Sequence, residues 1–220
     1  MSVRLYAVAR AGAVAPTCAG AETEPLRTVT AAGLAALVGT VPAAGAEPVT
    51  EEGLWRHEQA VEALMAEHDV LPARFGALLE GDEEVRALLR GRREAFDAAL
   101  AHVSGAVEVG VRAALAEDPS EPGASESGTA YLLALKRRDE LARAIAGRIA
   151  AALRPLSRES RIEEAWGPGG TLASAHLVGR ERVAEFRQRA EQLARDTGPA
   201  HLVCTGPWPP YSFVGAEARA

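Results

Sequence analysis

Gly105-Ala106-Val107-Glu108-Val109-Gly110-Val111-Arg112-Ala113 is the stretch that decides the fold. Gly105 interrupts the helical pattern before it. Val107, Val109, Val111 and Ala113 then alternate with Glu108, Gly110 and Arg112, the period of a strand with one buried face. Downstream, residues 117–128 are rich in Pro, Ser, Gly and Glu and read as a loop. A long helix is expected over 130–153, with Leu141, Ile145, Ile149 and Leu153 inward and Pro155 ending it. A weak strand over 157–165 follows, then the turn Gly167-Pro168-Gly169-Gly170 and a strand over 172–178. A helix over 181–195 carries Val183, Phe186, Ala190 and Leu193 inward, and a strand over 201–205 closes the series. The order β-α-β-β-α-β is the split β-α-β, or ferredoxin-like, unit.

Upstream the alternation is looser. Val3, Leu5, Ala7 and Ala9 alternate with Arg4, Tyr6, Val8 and Arg10, which predicts a first strand. A short strand is expected near 26–30 and a short helix over 33–38, ended by Gly39 and Pro42. Thr50 is placed to cap a helix running to about residue 67, with Glu51 and Glu52 in its first turn, where the helix dipole favours anions. Leu54, His57, Val61, Leu64 and His68 fall near one face of it. Residues 70–79 read as a strand. Asp82 opens a further helix whose stripe is Val85, Leu88, Leu89, Phe96 and Leu100. The boundary is therefore drawn near 104, giving an N-terminal domain over 1–103 and a C-terminal domain over 104–220.

Bulk properties narrow the function classes. The 220 residues are 48 % hydrophobic but only 5 % aromatic, so the core is expected to be rich in Leu, Val and Ala. The net charge of −6 argues against a general nucleic-acid binder, which wants a basic face. Lys136 is the only lysine, and the many arginines suit planar ion pairs and protein interfaces. Cys18 and Cys204 form no C-x-x-C motif, which fits a reducing cytoplasm and encodes no zinc or redox site. Residues 1–10 lack a long apolar run, so no signal peptide is expected. The alanine-rich stretch 31–46 is too short and too weakly apolar to span a bilayer.

A search for catalytic chemistry returns little. His57-Glu58 would begin an H-E-x-x-H zinc motif, but the second histidine position holds Val61. His57 and His68 lie about 16 Å apart along a helix and cannot share one ion. Gly167-Pro168-Gly169-Gly170 lacks the ending and setting of a phosphate loop. Ser157, Ser160 and Ser174 lie in no nucleophile elbow. No catalytic residue, cofactor or metal ligand is assigned, and the protein is expected not to be an enzyme.

Two segments stand apart. In Thr205-Gly206-Pro207-Trp208-Pro209-Pro210-Tyr211-Ser212-Phe213-Val214, three prolines within four positions push the chain toward extended geometry. Its aromatic residues are expected to latch the tail back onto the protein, to anchor a partner, or both. In Val70-Leu71-Pro72-Ala73-Arg74-Phe75-Gly76, Pro72 marks an edge strand or a strand start. Arg74 is expected to meet a carboxylate within the fold or to serve an interface.

Taken in order, these segments resemble the GvpF/GvpL family of gas vesicle proteins. The resemblance rests on Leu5-Tyr6, Leu34-Ala35-Ala36-Leu37-Val38, His57-Glu58, Leu71-Pro72-Ala73-Arg74-Phe75-Gly76, Glu83-Glu84-Val85-Arg86, Gly105 with Glu108, Tyr131-Leu132, Leu177-Val178 and the tail Thr205 to Phe213. It covers nearly the whole chain. Two departures are Val109 and His176, each standing where an aromatic residue is common. The resemblance implies an α+β protein of two modified ferredoxin-like domains with largely antiparallel sheets. It implies a cytoplasmic, gas vesicle-associated role in assembly, through contact with the major gas vesicle shell protein and other gas vesicle accessory proteins. Neither nucleic acid nor membrane is an expected partner. Arg74, Phe75, Trp208, Tyr211 and Phe213 are the candidate partner-binding residues. A purely structural shell-associated protein is one alternative. A small-molecule-binding or enzymatic ferredoxin-like protein is another, and it would require His57, Glu58 and Arg74 to converge in one cleft.

Overall fold

Strand β1 (Ser2–Arg10) is the centre of the first sheet in the computed structural model. The structure describes residues 2–41, 50–116, 128–163, 171–196, 198, 200–215 and 218. β1 is buried from Val3 to Ala9, on both faces, which is why its polar positions Arg4 and Tyr6 need partners inside the protein. It pairs antiparallel with β3 (Leu34–Val41), which pairs antiparallel with β2 (Leu26–Ala31). Ala32 and Gly33 both have positive φ, 53° and 82°, the two-residue turn that joins twisted hairpin strands. The short helix expected over 33–38 is therefore a strand. Leu34 to Val38 has helical composition, but pairing with strands on both sides overrides a weak propensity.

Helix α1 (Glu51–Met65) is capped as expected, with Thr50 Oγ1 accepting from the Gly53 amide at 3.0 Å. Its buried face is Gly53, His57, Ala60, Val61, Leu64 and Met65, while Leu54 lies outside it at 42 % exposure. The strand expected over 70–79 is two pieces, β4 (Val70–Pro72) and β5 (Leu78–Leu79), both antiparallel to β1. The turn between them contains Gly76 at φ 86°, and β4 is an edge strand, which accommodates Pro72. The single helix expected from Asp82 is also two, α2 (Asp82–Gly91) and α3 (Arg93–Val103). Asp82 sits in the first turn of α2 rather than at its cap, and its carboxylate takes a two-pronged bond from Arg27 at 2.6 and 3.0 Å.

The second sheet follows the predicted order. β6 (Ala106–Leu115), α4 (Gly128–Leu153), β7 (Glu159–Glu163), β8 (Thr171–Gly179), α5 (Val183–Asp196) and β9 (Ala200–Trp208) build a sheet of order β7-β8-β6-β9. β9 runs past the expected end at Thr205 and through Pro207, which an edge strand tolerates. α4 buries Ala142, Ile145, Ile149 and Leu153, whereas Leu141 is 43 % exposed. The expected loop over 117–128 (except Gly128) and the turn at 167–170 lie outside the described residues.

The chain forms an α+β protein of two compact units, one comprising Met1–Ala106 with Trp208–Ala220 and the other Val107–Pro207. The boundary between them falls after Ala106, where the sequence suggests 103/104, and the tail from Trp208 groups with the first unit. The first unit has the strand order β2-β3-β1-β4, equivalent to the β7-β8-β6-β9 order of the second. It lacks a helix between its first two strands, where residues 11–25 run as a loop.

Candidate functional site

Within the first unit, Tyr6 and His57 are fully buried, and Arg4 and Glu24 nearly so. The Tyr6 hydroxyl donates to Glu24 Oε1 and accepts from the Ala21 amide at 2.7 Å. Glu24 Oε2 accepts from the Glu22 amide at 2.7 Å, and Arg4 Nη2 donates to Glu22. Arg4 Nη1 lies 3.6 Å from Glu24 Oε1. The His57 ring stacks on Tyr6 at 4.9 Å between centroids and bonds through Nε2 to the Ala73 carbonyl at 3.1 Å. A carbonyl only accepts, so Nε2 carries the proton. Phe75 closes the cluster, edge-on to His57 at 5.5 Å and beneath the Arg4 guanidinium at 5.6 Å.

This packing sets the chemistry. Burial, above all, lowers the His57 pKa to about 4, aided by nearby Arg4 and opposed by the Ala73 bond and Glu24. Burial also raises the Tyr6 phenol, and the bond to Glu24 adds to it. At neutral pH the cluster therefore holds a neutral imidazole and a protonated phenol, engaged in packing and hydrogen bonds. A Cβ on Gly20 or Gly39 would fall 2.4–2.6 Å from the Glu24 carboxyl group or its Cγ, so these two positions must lack a side chain.

Glu58, next to His57, faces the tail. It is half-buried, and its Oε1 accepts from the Tyr211 hydroxyl at 2.8 Å. Burial raises the Glu58 carboxyl above its usual range and the Tyr211 bond partly offsets the rise. Pro209, Pro210, Phe213 and Val214 are buried around this contact. The tail is thus a latch on the first unit, strapped to α1.

The candidate residues divide by exposure. Phe213 is 3 % exposed and supports the latch from within, while Tyr211 is half-buried on Glu58. Phe75 is half-buried against His57 and Arg4. Trp208 is 43 % exposed. Arg74 is exposed, and among the described residues no carboxylate pairs with it, so the expected intramolecular partner is not found there. Sequence reasoning missed Trp55, which is 65 % exposed and lies one helical turn before Glu58 on the same side of α1. The available signal is Trp55 itself, a large apolar residue on the side of the helix opposite the His57-Val61-Leu64 stripe.

The family model for gas vesicle synthesis protein GvpL/GvpF matches residues 3–215. The chain belongs to the GvpL/GvpF family. It is 32 % identical to gas vesicle protein F of Streptomyces sp. (strain CB03234) over 87 % of this chain and 88 % of that protein. Gas vesicle protein L of the same strain is 31 % identical, over 96 % of this chain and 92 % of that protein. The crystal structure of GvpF from Anabaena sp. PCC7120 superposes with a TM-score of 0.82 at 18 % identity, covering 97 % of this chain and 96 % of that one. GvpF from Microcystis aeruginosa gives 0.78 at 18 % identity, over 97 % and 99 %. These structures share the fold described above. The family is one of gas vesicle synthesis proteins and not a known enzyme family. His57, Glu58 and Arg74 do not form the cleft that the enzymatic alternative required: the first is enclosed, the second holds the tail and the third is exposed. No described helix is long and apolar enough to cross a membrane.

Proposed function

We propose that this protein is a gas vesicle assembly factor that binds the major gas vesicle shell protein while the shell forms, in the cytoplasm. The supporting observation is how the two segments that carry the family resemblance are used. In Leu71-Pro72-Ala73-Arg74-Phe75-Gly76, Leu71, Pro72 and Ala73 are buried and Phe75 packs on the polar cluster, leaving Arg74 outward. In the tail, Pro209, Pro210 and Phe213 are buried and Tyr211 is bonded, leaving Trp208 outward. Each segment thus holds one large side chain at the surface on a constrained backbone, where little entropy is lost on binding. Tryptophan and arginine are the residues most often found to dominate interfaces. Trp55 adds exposed apolar area to the same unit. Other gas vesicle accessory proteins are further proposed partners.

The test is co-expression of a tagged chain with the major shell protein, against an unrelated acidic control. Specific co-purification is expected, and it should fall when Arg74→Ala, Trp208→Ala and Trp55→Ser are combined. Clean separation of two soluble, folded partners would overturn the reading. Normal vesicle formation by the folded triple variant would overturn the assignment of these residues.

A further inference from the structure

The helix–sheet interface of the second unit has polar groups where an apolar core is normal. β8 alternates Leu172, Ser174 and His176 toward α4, and the facing helix presents Ala146 and Ala150 beside Ile149. Two alanines one turn apart cannot fill the space that larger residues would occupy. The result is a cavity of about 500 Å³, within the range of small-molecule sites. Ile149, Ile162 and Leu172 supply apolar wall, Ser157, Ser160 and His176 supply polar groups, and Arg154 lines it as well. Arg158 and Glu159 are also in the lining, and Glu159 accepts from Arg161 at 3.0 Å.

One tautomer of His176 satisfies all the hydroxyl groups around the ring at once. Ser157 Oγ donates its one proton to the Leu153 carbonyl at 3.0 Å, so at 3.2 Å from His176 Nδ1 it can only accept. Protonation at Nδ1 satisfies this contact. Nε2 then accepts from Ser174 Oγ at 3.0 Å, a better bond for that hydroxyl than the Val111 carbonyl at 3.5 Å. In that tautomer Ser160 Oγ, 3.0 Å from Nδ1, shares the Nδ1–H with Ser157 and has its own proton to donate. His176, 2 % exposed and edged by Phe186 at 5.1 Å, is held neutral by burial, which lowers its pKa to about 4. Donors at Ser160 and Arg154 thus sit in one cavity with an apolar wall.

We infer that this cavity binds a small amphipathic carboxylate, its carboxylate accepting from Ser160 and Arg154 and its hydrocarbon body lying against Ile149, Ile162 and Leu172. The site lies wholly within residues 107–207 and is independent of the latch and of Arg74.

The probe is sodium octanoate, titrated into the full chain while the His176 ring resonances are followed by NMR, with 1-octanol and inorganic phosphate in parallel. Saturable shifts with a dissociation constant of about 1 mM are expected, the scale for a ligand of this size. Arg154→Gln should weaken binding about three- to fivefold, the effect of one exposed ion pair. Ile162→Glu, at a position 48 % exposed and so tolerant of charge, should abolish binding while the circular dichroism spectrum is kept. Octanol binding as tightly as octanoate, or phosphate binding equally well, would overturn the carboxylate assignment. Absence of saturable shifts up to about 10 mM octanoate, or binding unchanged in folded Ile162→Glu, would overturn the site.

Discussion

Tyr6→Phe isolates the polar cluster of the first unit. The substitution keeps the ring that stacks on His57 at 4.9 Å and deletes one oxygen from a fully buried position. That oxygen serves two groups, donating to the Glu24 carboxylate and accepting from the Ala21 amide. A hydrogen bond to a charged group contributes about 1.5–3 kcal/mol, and a buried amide left unsatisfied costs about 1–3 kcal/mol. Deleting the hydroxyl also removes its own desolvation penalty, so the net loss is expected near 2–4 kcal/mol. With a urea m-value of about 1–3 kcal/mol/M, the midpoint of the first-unit transition should fall by about 1–2 M with m unchanged. Circular dichroism during urea unfolding measures it, and Tyr131→Phe, at a position 39 % exposed on α4, is the control expected to shift by less than about 0.5 kcal/mol. A loss below about 1 kcal/mol for Tyr6→Phe would refute the claim that this hydroxyl organises the loop.

Further predictions concern the latch, the glycines and pH. Phe213→Ala removes a side chain that is 3 % exposed and should cost about 3–5 kcal/mol in the first unit, leaving the second-unit transition in place; equal loss in both would contradict the assignment of the tail. Gly39→Ala places a methyl group 2.5–3.0 Å from the Glu24 side chain and should destabilise by about 1–3 kcal/mol, with Gly12→Ala, where no atom lies within 4 Å but φ is 102°, showing the smaller cost of backbone strain alone. His57 and His176 both have folded pKa values near 4, below the ordinary 6.5, so the unfolded chain binds protons first as pH falls. Stability from each is full above about pH 6.5 and is lost toward pH 4, by up to about 3 kcal/mol per histidine. Urea midpoints measured across that window should flatten by one histidine's share in His176→Phe; an unchanged slope would show that His176 is not held neutral.

What the sequence made legible follows from local signals. The Val107–Ala113 alternation, the Ile145-Ile149-Leu153 stripe and the Thr50 cap each act within a few residues, and each lies where expected. Leu34–Val38 reads locally as a helix, and its strand state comes from β1 and β2 on either side, contacts invisible to a local window. The run from Asp82 reads as one helix because Gly91, a weak helix former, does not say whether it will be tolerated or will break the run. Arg74 and Trp208 were singled out from the composition of their segments. Their exposure was not readable, because it depends on where Phe75 and Phe213 find pockets. His57 looked like half of a metal motif, and only the placement of Tyr6, Ala73 and Phe75 around it turns it into a packed, neutral ring.

The two units differ where a ferredoxin-like fold normally places its first crossover helix. In the second unit α4 supplies that cover through Ile145, Ile149 and Leu153, and its alanines leave a cavity. In the first unit residues 11–25 supply it without a helix. A loop against a sheet exposes backbone amides to a low-dielectric interior, and each must find an acceptor there. The Gly20 amide bonds the Glu24 carbonyl at 2.8 Å, the Ala21 amide bonds Tyr6 and the Glu22 amide bonds the Glu24 carboxylate. The Glu24 carboxylate brings charge inside with Glu22 beside it, which requires Arg4, and Arg4 in turn is covered by Phe75. The buried charges of the first unit are thus a consequence of replacing a helix by a loop. They tie the Phe75 segment to β1, and His57 ties the same segment to α1 through Ala73. Arg74 lies between Ala73 and Phe75, so loosening the cluster by Tyr6→Phe should also free the Arg74 backbone. Faster amide exchange at residues 73–77 in that variant, with α5 unchanged, is the expected sign of the coupling.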